Sequence, residues 1–220
     1  PGYQVTFALM LTSAIITCTL TTRLKDHAKM SAQAAFRTKI LFDTNQLLQR
    51  AKSEEEILSQ TASQLMKLLN RSLIVYPEQN GDLGSEQVFW VDGKTVQNIF
   101  SAPEERNAAN WTFANKKRSG AGTDSYPDAK GLYLALRTGG GVFGVIGIDL
   151  SEKPLDAFEN SVLLSILGEG ALAIENRRNA LEKEQAALQA RNEELRANLL
   201  RTISHDRRTP LTSISGNASN

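Results

Sequence analysis

The sequence predicts an α+β domain organised around an antiparallel sheet. Three observations predict it. Strand signals come in pairs joined by turn residues, 73–76 with 88–91 and 132–136 with 142–150. Helical patterns stand before and after these pairs rather than alternating with them, as when helices lie against an antiparallel sheet. A stretch without glycine or proline, from about Ala173 to Ile203, then follows the last strand.

Residues 3–22 carry no charged side chain. Twenty helical residues at about 1.5 Å each reach about 30 Å, the thickness of a bilayer core. Val5, Phe7, Leu9, Met10, Leu11, Ile15, Ile16 and Leu20 are the apolar members, diluted by six threonines and Gln4. Threonine hydroxyls that bond back to a helix carbonyl are tolerable in lipid. Arg23, Lys25, Lys29, Arg37 and Lys39 follow, opposed only by Asp26. A basic run just past an apolar span marks the cytoplasmic side. Residues 1–22 are therefore expected to form a transmembrane helix of the plasma (inner) membrane. Residues 23–37 are a basic juxtamembrane linker, and everything after 23 is cytoplasmic. An amphipathic core helix is the competing reading; a signal peptide would need a charged start and a small-residue cleavage site.

The sheet domain is expected at 38–176. Residues 38–70 read as two helices, the first with Leu41, Leu47 and Leu48 on one side. Ser53 has the chemistry of an N-cap, with Glu54, Glu55 and Glu56 well placed in the first turn. Ile57, Leu58, Leu65, Leu68 and Leu69 supply the apolar face. The first strand, 73–76, is expected to end at Pro77. Asn80-Gly81-Asp82 is a turn, and the second strand closes at Asp92-Gly93. A helix over 102–118 is entered at Pro103 with Glu104 and Glu105 behind it. Residues 119–131 form a loop. The last two strands meet at Gly139-Gly140-Gly141, and a long helix begins at Pro154.

Within 177–203, Leu181, Leu188 and Leu195 repeat every seven residues among charges, and Thr202 keeps the register. Heptad leucines predict a two-stranded coiled coil and so a dimer. Glu184, Arg191 and Asn198 occupy intervening seam positions, which makes the coil short or marginal. A solvated single helix is the alternative.

The 25 basic and 24 acidic residues leave a formal charge of +1. That balance argues against a nucleic-acid binder, which needs a basic excess to neutralise phosphates. Cys18 stands alone and cannot form an internal disulfide. The chain begins at Pro1 and stops at Asn220 without a closing element, so it is expected to be a piece of a longer protein.

Residues 204–220 contain Ser204-His205-Asp206-Arg207-Arg208-Thr209-Pro210-Leu211-Thr212. On a helix His205 and Thr209 share a face at i and i+4. A neutral imidazole is a good nucleophile near pH 7 because its pKa lies near 6.5. The Asp206 carboxylate can orient the ring and take its proton. Thr209 is placed to hydrogen-bond a water or phosphoryl oxygen, and Pro210 removes one backbone donor. A histidine landing by chance on a solvated helix is the bland alternative.

His205-Asp206-x-Arg208-Thr209-Pro210-Leu211 resembles the H-box of sensor histidine kinases. Trp111, Ser119-Gly120-Ala121-Gly122-Thr123, Pro127, Leu132-Tyr133-Leu134, Leu136 and Gly144-Val145 resemble the GAF-like cytoplasmic domain of the KdpD family of potassium-responsive sensor kinases. Arg196-Ala197-Asn198-Leu199-Leu200-Arg201 and Thr212-Ser213-Ile214-Ser215-Gly216 are similar to that family too. The resemblance covers essentially the whole chain. It implies a GAF-like sheet flanked by helices, between a membrane helix (the last of the family's four) and the start of a dimerisation and histidine-phosphotransfer domain.

The resemblance also implies roles. His205 accepts the ATP γ-phosphoryl and donates it to an aspartate of a KdpE-type response regulator. Asp206 is the general base and Thr209 assists the phosphatase direction. The parent enzyme uses ATP with magnesium and works as a membrane-bound homodimer responding to potassium or osmotic stress. Arg207 departs from the family's usual leucine; buried in a bundle, a guanidinium costs several kcal/mol unless paired or snorkelling. The family's ATP-binding domain is not expected within these residues. The chain alone should therefore bind no cofactor and not phosphorylate itself.

Other residues carry weaker signals. Gly120-Ala121-Gly122-Thr123 lacks the lysine and spacing of a P-loop and reads as a tight loop. Trp111 and Tyr133 are candidates to line a GAF ligand pocket, although aromatics are more often core. His27 has no second ligand nearby for a metal. The rival functional class is an isolated GAF-like small-ligand-binding module without catalytic activity.

Overall fold

A computed structural model describes the backbone of residues 2–91 and 99–217, and the side chains of all of these except 4–9, 11, 12, 26 and 202–217. In chain order the elements are α1 (Gly2–Arg50), α2 (Glu54–Leu69), β1 (Leu73–Gln79), β2 (Asp82–Leu83), β3 (Gln87–Phe89), a 3-10 turn (Ile99–Ser101), α3 (Pro103–Asn115), β4 (Ser119–Gly120), β5 (Gly131–Arg137), β6 (Val142–Asp149) and α4 (Ala157–Asn217). The chain divides into two units, 1–174 and 175–220.

The first unit is built on the expected antiparallel sheet, in the order β2-β1-β6-β5-β4 with β3 also pairing β1. The register of β5 against β6 runs from Gly131 opposite Asp149 to Leu136 opposite Gly144. The period-2 alternation of a strand sends its side chains to opposite faces. Leu73, Val75, Leu132, Leu134, Leu136, Ile146 and Ile148 go to one face, where α2 packs with the ends of α1 and α4 nearest the sheet. Ile74, Tyr76, Tyr133 and Val145 go to the other, under α3.

Caps explain where the helices begin and end. The Ser53 hydroxyl accepts from the Glu56 amide at 3.1 Å, as expected of an N-cap. Asn70, at φ 51°, ends α2 in the left-handed conformation that asparagine tolerates. The last helix starts three residues later than expected from Pro154, because Asp156 and Glu159 form a reciprocal capping box: the Glu159 amide donates to Asp156 Oδ1 at 2.7 Å, and the Asp156 amide to Glu159 Oε2 at 3.0 Å. The helix α3 ends at Asn115 rather than 118, where Lys116 turns left-handed at φ 57° and its amide caps Thr112.

Three strand readings also change. Pro77 does not end β1, which continues to Gln79. The Pro77 carbonyl accepts from Gly84 on the β2 side. Its ring nitrogen therefore faces that side too, where no β6 ladder bond is lost. Asn80 and Gly81, at φ 54° and 90°, form the hairpin into β2, as suits a tight two-residue turn. The second strand is shorter than 88–91 and begins at Gln87; its expected closing turn at Asp92-Gly93 lies outside the described residues. The 119–131 loop opens with the short strand β4, whose Gly120 sits at φ 92°. A Cβ there would run into the Gly131 carbonyl.

At the start of the chain, residues 2–50 are one continuous helix, so the expected span, linker and first domain helix share a single element. The hydroxyls of Thr17, Thr21 and Thr22 donate back to the carbonyls of Ser13, Thr17 and Cys18 at 2.7–2.9 Å. Farther along, α1 lies beside the start of α4. Phe36 meets Phe158 with ring centroids 6.2 Å apart. Arg37 donates to Ser165 at 2.6 Å, and Asn45 to Glu169 at 3.1 Å. Contacts that advance together on both helices make them parallel neighbours.

Candidate functional site

Two regions carry the sequence-predicted functional residues. The second unit, 175–217, is helical throughout as the C-terminal part of α4. Leu181, Leu188 and Leu195 are 42%, 58% and 54% exposed, and Leu199 and Leu200 are exposed beside them. Isolated large apolar side chains on a charged helix are ordinary; this heptad row has no partner among the described residues. His205, Asp206, Arg207, Thr209 and Pro210 fall within the helical backbone, while their side chains lie outside the described residues.

In the first unit the structure separates the two aromatics that the sequence offered as pocket residues. Tyr133 is fully buried. Its hydroxyl donates to Glu105 Oε2 at 2.7 Å. Burial, and then the hydrogen bond to that carboxylate, push the Tyr133 phenol far above its ordinary value. Trp111, six residues farther along α3, is half-buried and lines a cleft of about 1040 Å³ with Lys116, Lys117, Arg118 and Arg137.

Glu105 was not visible as a special residue in sequence. It reads there as a carboxylate favouring a helix N-terminus, yet it is 1% exposed. It accepts from the Lys130 amide at 2.7 Å, the Gly131 amide at 3.2 Å and the Tyr133 hydroxyl. A buried carboxylate is tolerable when several donors replace its hydration, as here. The neighbouring Arg106 donates to the Leu83 and Gly84 carbonyls at 2.8 and 3.1 Å and stacks 4.7 Å from the centre of the Tyr76 ring. Burial, with the Glu86 charge adding to it, pushes the Tyr76 phenol up to about 12 against the opposing pull of Arg106. On this face of the sheet, Tyr76, Tyr133, Phe100 and their neighbours fill the space under α3.

Arg71 was equally silent in sequence. It is 5% exposed, and donates to the carbonyls of Asp149 at 3.1 Å and Lys153 at 2.8 Å, with Glu159 at 4.0 Å. This side chain fastens the start of β1 to the segment that leads into α4. The tight 119–123 loop is closed by its own backbone: the amides of Gly120, Ala121 and Thr123 donate to Ser125, Gly131 and Gly120. His27 is exposed on α1. Among the described residues no cluster of three metal-ligating side chains occurs.

Among the described residues one helical segment, Ala157–Arg201, is long and apolar enough to cross a membrane by length and composition. Its apolar side chains Val162, Leu163, Ile166, Leu167 and Ile174 are buried in the domain core, which accounts for that composition without a bilayer.

No family model matches the chain. The sensor protein KdpD of Clostridium acetobutylicum is 34% identical to it over 219 residues, 99% of this chain and 24% of that protein. The sensor protein KdpD of Escherichia coli is 28% identical over 219 residues, 98% of this chain and 24% of that protein. The chain thus spans about a quarter of the length of the curated relatives it matches. Among solved structures, the GAF domain of the potassium sensor histidine kinase KdpD from Escherichia coli is similar at 22% identity and TM-score 0.49, covering 69% of this chain and 99% of that one. The GAF domain of an Acinetobacter phosphoenolpyruvate-protein phosphotransferase is similar at 10% identity and TM-score 0.46, covering 66% and 95%. The chain is similar to the KdpD sensor proteins along almost all of its own length and a quarter of theirs.

Proposed function

We propose that the chain is the relay section of a membrane-bound sensor histidine kinase. In this reading residues 3–22 cross the membrane, the GAF-like body receives the input, and the paired helices beyond it set the pose of His205. The heptad row Leu181, Leu188 and Leu195, exposed on a helix unbroken into the H-box, supports the reading most directly. The three leucines are about half exposed, so burying the rest of each against a second copy adds roughly 1 kcal/mol of hydrophobic stabilisation apiece. The threonine hydroxyls bonded back to the α1 carbonyls support the membrane reading of that helix, since they leave no polar hydrogen exposed to lipid.

The proposed chemistry is phosphoryl transfer. A His205 ring nitrogen attacks the γ-phosphorus of ATP supplied with magnesium by the parent enzyme's nucleotide-binding domain. The bond from that phosphorus to the ADP oxygen breaks, and Asp206 takes the imidazole proton. The phosphoryl group then passes from His205 to an aspartate of a KdpE-type response regulator. In the phosphatase sense, Thr209 orients a water that attacks the phosphorus of the regulator's aspartyl phosphate, breaking its P–O bond to release inorganic phosphate and the free carboxylate. Regulation by potassium or osmotic stress belongs to the same reading.

The test is phosphotransfer in trans. The detergent-solubilised chain is incubated with a separately added KdpD nucleotide-binding domain and γ-labelled ATP. Label is expected on the wild-type chain and not on His205→Gln. Absence of label on a chain that is dimeric by light scattering would overturn the relay, leaving a sensory module without catalytic activity. A monomeric chain would overturn the paired helix.

A further inference from the structure

The cleft beside Trp111 is not used by the relay and shares no lining residue with the Tyr133–Glu105 network. Four cations surround it, Lys116, Lys117, Arg118 and Arg137, against the single carboxylate of Asp124. None of the four has an ion-pair partner among the described residues. The excess is local, because the chain as a whole carries only +1. Cations at the rim of a concave, partly apolar wall focus a positive potential into it, and here Leu134 and Leu167 supply the apolar wall.

Two features of the backbone organise these charges. The left-handed turn at Lys116, φ 57°, breaks α3 and brings the Lys116-Lys117-Arg118 run around to the cleft. The facing wall is the free part of the β5 edge. The Gly131 carbonyl accepts from Ala121 on the β4 side, so by the alternation of an antiparallel ladder the backbone groups of Tyr133 and Ala135 face that side as well. The strand β4 ends at the pair Ser119 and Tyr133. Ala135 therefore turns an amide toward the cleft with no strand beside it. The amides of the glycine loop are mostly consumed internally, so recognition falls to the four side chains and this edge.

We propose that this cleft binds a small polyanion with closely spaced phosphate groups. The cations hold the phosphates and the Ala135 amide donates to one phosphate oxygen. Such chemistry comes from an inorganic phosphate chain or from a nucleotide, for which the half-buried Trp111 indole is a surface for a base. The site is independent of the His205 relay and stands or falls separately.

Sodium tripolyphosphate and ATP are titrated calorimetrically into the detergent-solubilised 220-residue chain. Tripolyphosphate is expected to bind and to weaken steeply with salt, since exposed charges are screened within about 8 Å at physiological ionic strength. Lys117→Glu with Arg137→Glu should lower its affinity at least about tenfold, and Arg118→Gln by a smaller factor. Lys67→Glu, the same charge change at an exposed position on α2, should leave it unchanged. Tighter binding of ATP than of tripolyphosphate supports the site with a nucleotide as its ligand; equal binding supports it with a bare phosphate chain. No binding of either, equal losses from Lys67→Glu, or binding only to anionic phospholipid vesicles would overturn it.

Discussion

The two faces of the sheet are built by different rules. The face toward α2 and the paired stretches of α1 and α4 is almost wholly aliphatic, with Leu65, Leu136, Ile146, Leu163 and Ile166 fully buried. The face toward α3 mixes aromatics with directional bonds: Tyr133 to Glu105, Arg106 over Tyr76, and Thr112 with Ser119 at 2.7 Å. Aliphatic packing is non-directional and tolerates repacking. A buried polar network fixes distances and is costly when one member is lost. The α3 face is therefore expected to hold its geometry more tightly than the aliphatic face that carries α1 and α4.

The sharpest way to break this contrast is to remove the carboxylate at the platform. Glu105→Ala leaves the Gly131 amide and the Tyr133 hydroxyl buried without a partner and should cost about 3–4 kcal/mol, measured by urea unfolding of the chain in detergent. A loss below about 1 kcal/mol would show the network to be incidental. Tyr133→Phe, which removes one of three donors, should cost about 1–2 kcal/mol at neutral pH.

The same residue sharpens the comparison in alkali. Tyr76 and Tyr133 have folded-state pKa values above the ordinary value of about 10. Their contribution to stability is complete below pH 10 and falls as pH rises through the folded values, because the unfolded chain loses those protons first. The wild type should therefore lose stability above pH 10 more steeply than Tyr133→Phe, followed by circular dichroism beside the 295 nm phenolate signal. Parallel curves would refute it. The smallest effect belongs to the aliphatic face: Ile166→Val should cost only about 1 kcal/mol.

Much of the α+β body was legible in residues whose local chemistry dictates one outcome. Gly139-Gly140-Gly141 announced the β5–β6 hairpin, Ser53 the start of α2 and Pro103 the start of α3. The misreadings arose where a distant element decides. Pro77 remains in its strand because its nitrogen faces the side away from β6. The last helix starts late because Asp156 finds Glu159, a stronger local signal than the proline before it. Nothing in sequence separates Glu105 from its solvated neighbour Glu104, since its donors arrive from β5 some 25 residues later. Arg71 was silent for the same reason: its acceptors lie 78 and 82 residues away. The histidine motif is a contiguous string, and its side chains lie outside the described residues.

The side-by-side, same-direction run of α1 and α4 has a geometrical consequence. From Phe36 beside Phe158 to Asn45 beside Glu169, the two helices run alongside each other in the same direction. Three side-chain contacts join the two helices on the side of the sheet that α2 also covers. More than a hundred residues of folded body lie in sequence between the two contacting stretches.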